Sequence, residues 1–320
     1  MTTRTLGPGG PAVSSICFGT SALGDMPDTY GYAVSEDRAA ATLRAIFDGP
    51  CNFIDSSRNY GFGRSEERIG AAIAERGGLP EGFVLATKLD RDMETGRFDA
   101  ARVRESIEES LTALGVDRVD LLHLHDPEHA RDLDEIRGKG GALDELFKLK
   151  DEGIAGAVGL AMGRLDIMFP LVKERPFDVI LNHNRYTLLN RAADEMFTWA
   201  HDAGMTVLNA APYAGGVLAK GSAVMPQITY QKADDDALAP VRAIEEVCAR
   251  HQVPPGAVAL QFSLRDPRIA STVIGVSSPE RVAQTVGWAE WDIPGEVWDE
   301  LENLGYSTED PEANREYRPG

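Results

Sequence analysis

The sequence predicts an α/β fold, a (β/α)8 TIM barrel, and three observations carry the prediction. Eight short, nearly continuous apolar runs recur along the chain, as expected of parallel strands covered on both faces. Amphipathic, helix-like segments alternate with them. The units extend over roughly 250 residues, the usual span of such a barrel. A doubly wound sheet is the rival, but it would offer a G-x-G-x-x-G turn after its first strand. Gly61 and Gly63 in "GFGRSEERIG" follow the second strand, with no suitable acidic ribose ligand beyond, and read as turn chemistry. Residues 1–320 are read as one domain.

Taken in order, "RTLGPGGPAVSS" suggests a small β-hairpin plugging the barrel bottom ahead of the first barrel strand. The strand candidates are "ICFGT" (16–20), "NFIDSS" (52–57), "FVLATKL" (83–89) and "RVDLLHLH" (118–125). They continue with "AGAVGLA" (155–161), "FDVILNHN" (177–184), "MTVLNAAP" (205–212) and "ASTVIGV" (270–276). Between them, "SEDRAAATLRAIFDG" and "SEERIGAAIAERGG" each carry a serine in N-cap position and a terminal glycine. "DAARVRESIEESLTALG" places Val103, Ile107, Leu111 and Leu114 on one face. "GGALDELFKLKDEG", "AADEMFTWAHDAG" and "PVRAIEEVCARHQV" continue the rhythm. The segment 214–236, with Tyr230, Lys232 and three aspartates, is the expected lid. The Pro- and Glu-rich tail from Ser307 is expected to be loosely ordered.

Composition narrows the function. The chain is 43% hydrophobic and 26% charged, ordinary for a globular protein with a sizeable core. A net charge of −19 repels phosphate backbones, so no nucleic-acid or anionic-membrane partner is expected. No stretch has the apolar length of a membrane span, and "MTTRTLGPGG" has no secretory h-region. Three cysteines, Cys17, Cys51 and Cys248, lack zinc spacing and read as buried thiols, which favours the cytoplasm. "HLHDPEH" is no metal site without matching ligands on other strands.

In such a barrel the chemistry sits at the C-terminal strand ends. Those ends deliver Asp55 with Tyr60 in the following loop, then Lys88, then His125. Each alone has an ordinary reading as a rim, turn or core residue. Together they explain one another: a lysine beside an aspartate stays charged, and a charged lysine beside a phenol is expected to lower the phenol's pKa from about 10. A histidine nearby completes an acid–base group for carbonyl or alcohol chemistry.

"FIDSSRNYGFGRSEERIG", "LATKL" and "DLLHLHDP" resemble the signature segments of the aldo-keto reductase superfamily, and the resemblance covers most of the chain. It implies a nicotinamide cofactor held without a Rossmann fold, Tyr60 as proton donor or acceptor, and Asp55, Lys88 and His125 completing a tetrad. It also implies cofactor contacts from Gly19, Thr20 and Asp55, and from Gly215 in the lid. "CNFIDSS" carries serine where the commoner family form has threonine. Other departures concern the nicotinamide. The usual Ser-Asn pair of strand five is Ala161-Met162, the strand-six glutamine aligns with His183, and Ala210 stands at the stacking aromatic, with Tyr213 three residues on. Carboxamide recognition is then expected from His183 and Asn184.

At the adenosine end, "VIGVSSPERVAQT" implies Arg281 against adenine and the 2′ position. Gly275 replaces a lysine of NADPH-dependent members, Ser277 and Ser278 are neutral, and Gln284 and Thr285 stand for the usual Glu and Asn. With Arg281 as the one cation there, NAD is expected, with NADP tolerated. "RYTLLNR" and "AGGVLAKG" resemble the branch of D-threo-aldose (L-fucose), L-galactose and pyridoxal dehydrogenases. This implies oxidation of a free aldose or similar cyclic hemiacetal to a lactone. Alternatives are a general NADPH-dependent aldehyde reductase and a redox-sensing cofactor-binding subunit.

Overall fold

The computed structural model describes residues 2–7 and 9–315. Strands β1 (Thr3–Thr5) and β2 (Ala12–Ser14) form an antiparallel hairpin. Eight parallel strands then close a barrel: β3 (Ile16–Gly19), β4 (Phe53–Asp55), β5 (Val84–Leu89), β6 (Val119–His125), β7 (Ala155–Met162), β8 (Val179–His183), β9 (Thr206–Ala210) and β12 (Ile269–Gly275). All eight apolar runs lie on barrel strands. β12 pairs with both β9 and β3, so the last unit adjoins the first. A two-residue pair, β10 (Gln227–Ile228) and β11 (Gln231–Lys232), lies outside the barrel.

The pleat sorts side chains by parity. In β6, Leu122 and Leu124 face the helices in the large outer cluster, whereas Leu121 joins Cys17, Phe53 and Val84 in the barrel interior. Leu6 and Val13 of the hairpin enter that interior cluster, so the hairpin plugs the barrel as expected. The plugged end is the strands' N-terminal end, since Gly7 N–H donates to Thr206 at the start of β9. The three cysteines are buried thiols outside any disulfide among the described residues. Among the described residues no helix is long and apolar enough to cross a membrane.

Four local expectations are corrected. Ser65 lies inside its helix (Arg64–Arg76), and the cap is Gly63 at φ 99°, a left-handed conformation open to glycine. The helix expected from Pro240 begins earlier (Asp235–Arg250), because Asp234 accepts from Ala237 N–H and the proline is taken into the helix. The three aspartates therefore serve that helix start and do not line the cavity, nor does Lys232. Residues 307–315 of the tail are docked rather than loose, with Ser307 bridged to Asn190 and Arg185 paired with Asp310 and Glu312, while 316–320 lie outside the described residues.

Candidate active site

The loop after β4 places the tyrosine. Gly61, at φ 63°, packs on Gly24 so closely that a Cβ on Gly61 would fall 1.9 Å from the Gly24 carbonyl oxygen, and one on Gly24 would fall 2.7 Å from Tyr60 backbone atoms. Only two glycines permit this approach, and it fixes Tyr60 over the barrel mouth. Lys88 Nζ donates to Tyr60 OH at 3.1 Å, to Asp55 Oδ2 at 2.6 Å and to the Ser56 carbonyl at 2.6 Å. The edge-on ring of His125 lies 5.8 Å from that of Tyr60. The four residues predicted from the strand ends thus meet in one place.

Sequence reasoning missed the support for His125. Its Nδ1 lies 2.6 Å from Asp90 Oδ1, while Asp90 Oδ2 accepts from Ser57 Oγ at 2.6 Å and Asn59 N–H at 2.9 Å. Burial opposes ionisation of Asp90, but His125 and these donors outweigh it and lower its pKa. Burial likewise opposes charge on His125, and the carboxylates of Asp126 and Asp90 overcome it to raise that pKa. Strand parity was the available signal, since residues 88 and 90 share a face.

One electrostatic expectation is overturned. The Tyr60 pKa is raised well above its ordinary value, first by burial and then by Asp55, Tyr30, Asp126 and Asp90. The Lys88 charge is shared with Asp55 at contact distance, so its pull on the phenol does not overcome burial and the nearby carboxylates.

A cavity of about 630 Å³ opens over these groups. Its walls include Gly19, His183, Asn184, Tyr213 and Gly215, and at one end Gly275, Ser277, Ser278, Arg281, Gln284 and Thr285. Thr20 is the exception: it is fully buried, off the cavity, and donates to the Asp55 carbonyl at 3.0 Å. Ala161 lines the cavity while Met162 packs outward among the helices, so neither supplies a polar group in place of Ser-Asn. Tyr213 meets Trp288 edge-on at 5.9 Å.

Arg281 is not the sole cation at the far end. Arg38, from the helix Glu36–Phe47, donates to the Ser277 carbonyl at 2.9 Å, and Arg38 and Lys220 both line the cavity. Burial and the neighbouring Arg281 lower the Lys220 pKa. Ser278 caps the eleven-residue helix Pro279–Ala289, whose positive end adds to the same field. A dinucleotide fits this lining. Three cations suit its phosphates, and Asn184 Oδ1, buried without a hydrogen-bond partner among the described residues, suits an amide N–H. No group of three or more metal-ligating side chains is found among the described residues.

Comparison with known proteins agrees with this geometry. The chain is 31% identical over 318 residues to D-threo-aldose 1-dehydrogenase of a Pseudomonas species, covering 91% of this chain and 94% of that one. It is 33% identical over 309 residues to L-galactose dehydrogenase of Arabidopsis thaliana (96% and 91%), and 29% identical over 339 residues to pyridoxal 4-dehydrogenase of Microbacterium luteolum (94% and 97%). Its fold matches an aldo-keto reductase from Bacillus halodurans, solved in the holo form, with a TM-score of 0.78 over 99% of this chain and all of that one, at 23% identity. The family profile "Aldo/keto reductase family" spans residues 15–305, and the chain belongs to that family of oxidoreductases.

Proposed function

We propose that the protein oxidises the anomeric carbon of a free aldose, or of a similar cyclic hemiacetal, to a lactone, using NAD and tolerating NADP. The observation that carries this reading is the hydrogen-bonded chain Asp55–Lys88–Tyr60 at the base of the cavity, with His125 beside it. The cofactor, when bound, supplies the hydride acceptor; the remaining work belongs to the chain. The Tyr60 phenolate, stabilised by Lys88, which Asp55 holds, takes the proton of the anomeric hydroxyl and so becomes the phenol. His125 Nδ1 is occupied by Asp90, which leaves Nε2 for the reacting oxygen. Run backwards, the same groups protonate a carbonyl.

A sugar is favoured over a simple aldehyde by Asp126. This residue lines the cavity at φ 42°, with Oδ2 3.6 Å from His125 Nε2 and Oδ1 buried without a hydrogen-bond partner among the described residues. A carboxylate so placed accepts from a hydroxyl neighbouring the reacting carbon. The names of the similar enzymes, two aldose dehydrogenases and one pyridoxal dehydrogenase, support the same substrate class.

The test is a panel of free aldoses, pyridoxal and simple aldehydes, followed by NADH absorbance in both directions. Oxidation of at least one aldose or pyridoxal is expected. Asp126→Ala is expected to raise KM for that substrate about tenfold while leaving KM for a simple aldehyde unchanged. Efficient reduction of simple aldehydes with no sugar oxidised at any pH would replace this reading with a general reductase.

A further inference from the structure

The segment after the last helix runs back to the barrel mouth and is pinned at several points. Ser307 N–H donates to the Leu189 carbonyl and its own carbonyl accepts from Arg191 N–H, both at 2.9 Å. Asn190 Nδ2 donates to the Glu309 carbonyl and Gln231 Nε2 to the Pro311 carbonyl, both at 2.8 Å. The segment thereby delivers two carboxylates to Arg185, whose side chain is only 2% exposed: Asp310 at 2.7 Å and Glu312 at 2.6 Å.

Glu312 does more than pair with Arg185. The same oxygen, Oε2, lies 3.2 Å from His183 Nδ1, and Arg315 pairs with the other oxygen. Burial opposes charge on Glu312, but His183, Arg185 and Arg315 hold its carboxyl well below the usual range. Gly163 makes the arrangement possible, since a Cβ there would come within 2.7 Å of Arg185 Nη1 and 3.0 Å of His183 Cε1. With Nδ1 engaged, Nε2 is the nitrogen His183 has left for the cavity it lines. The next residue, Asn184, offers its buried, unpartnered Oδ1. One ring acceptor beside one amide acceptor suits the two N–H bonds of a primary carboxamide.

We propose that Glu312 is a positioning residue for the cofactor: it accepts from His183 Nδ1–H, so that His183 Nε2 and Asn184 Oδ1 together accept from the N–H groups of the nicotinamide carboxamide. This rests on the cofactor reading above. In a neutral histidine a carboxylate that accepts from one ring nitrogen leaves the other as an acceptor, and so decides what the ring offers outward. The C-terminal segment is in this way a working part of the cofactor site.

Calorimetric titration with NADH and with ADP, which probes the adenosine end alone, tests the proposal. Glu312→Gln is expected to weaken NADH about tenfold, the scale of one charge-assisted hydrogen bond, and to leave ADP unchanged. Asp310→Asn removes a partner of the same arginine without touching His183, and is expected to leave NADH affinity unchanged. In a His183→Gln background, Glu312→Gln is expected to add nothing. The proposal is overturned if Glu312→Gln spares NADH or weakens NADH and ADP alike. It is equally overturned if Asp310→Asn weakens NADH as much, or if the Glu312 effect survives in the His183→Gln background. A wild-type protein that binds neither NADH nor ADP removes the cofactor reading itself, and this proposal with it.

Discussion

On the proposed reading Tyr60 sets the chemistry, and its surroundings set the pH at which each direction runs. Tyr60→Phe is expected to lower turnover by roughly two to four orders of magnitude, with cofactor affinity nearly unchanged, because the phenol acts on the substrate oxygen. Lys88→Met should lose a similar factor; a Tyr60→Phe enzyme of near-normal turnover would disprove the assignment. The raised pKa of Tyr60 keeps it a phenol at neutral pH, the form that protonates a carbonyl. Reduction should therefore stay flat from about pH 6 to 9, whereas oxidation, which needs the phenolate, should climb by up to about tenfold per pH unit through that range and beyond pH 10. An oxidation rate that levels off below pH 9 would show that the bound, positively charged oxidised cofactor brings the phenol down again. At this scale the tetrad was legible because each member is a polar residue at the end of an apolar strand or in the loop just after it. Asp90 was not, since it stands just past its strand, where a carboxylate also reads as ordinary turn chemistry. Strand parity with Lys88 hints at its facing, and contact with His125 reveals its role.

The helix Arg64–Arg76 shows how an element can support a site at some cost to stability. It buries Glu66 completely, with Oε1 accepting from Thr87 Oγ1 at 2.5 Å and Arg58 no closer than 3.8 Å. Burial pushes the Glu66 pKa up to about 7. A carboxyl raised above its unfolded value of about 4.3 contributes stability fully below that value and loses it as pH rises through about 7. Glu66→Gln, which keeps the shape without the charge, is expected to stabilise the protein by roughly 1–3 kcal/mol at pH 8 and hardly at all at pH 5. Urea denaturation at the two pH values measures it, and equal effects at both would refute the assignment. Elements were the most legible level of the fold. The eight strands follow from apolar runs of strand length, a strong signal when both faces are covered. Boundaries were weaker where backbone geometry overrode side-chain propensity, as at left-handed Gly63 and at Pro240. The docked tail was illegible, because its order depends on Arg185, more than a hundred residues upstream.

Barrel closure explains what local reading could not reach. Because β12 pairs with β3, the first helix of the barrel lies beside the last βα unit, and Arg38 meets Ser277 across 239 residues of sequence. The sequence shows two unremarkable segments; the closed ring makes them one binding surface, basic within a protein of net charge −19. Arg38→Ala is expected to weaken NADP(H) about tenfold and NAD(H) less than threefold, as loss of a charge-assisted partner for the 2′-phosphate. Equal weakening of both would place Arg38 on the shared phosphates instead. The docking of residues 307–315 also bears on biosynthesis. Translation runs from the N-terminus, so the two carboxylates that neutralise Arg185 leave the ribosome after all eight barrel strands. Until they arrive, the nascent barrel holds Arg185 without its anions. Premature termination after the last helix would release a chain with all eight barrel strands and an unfinished mouth.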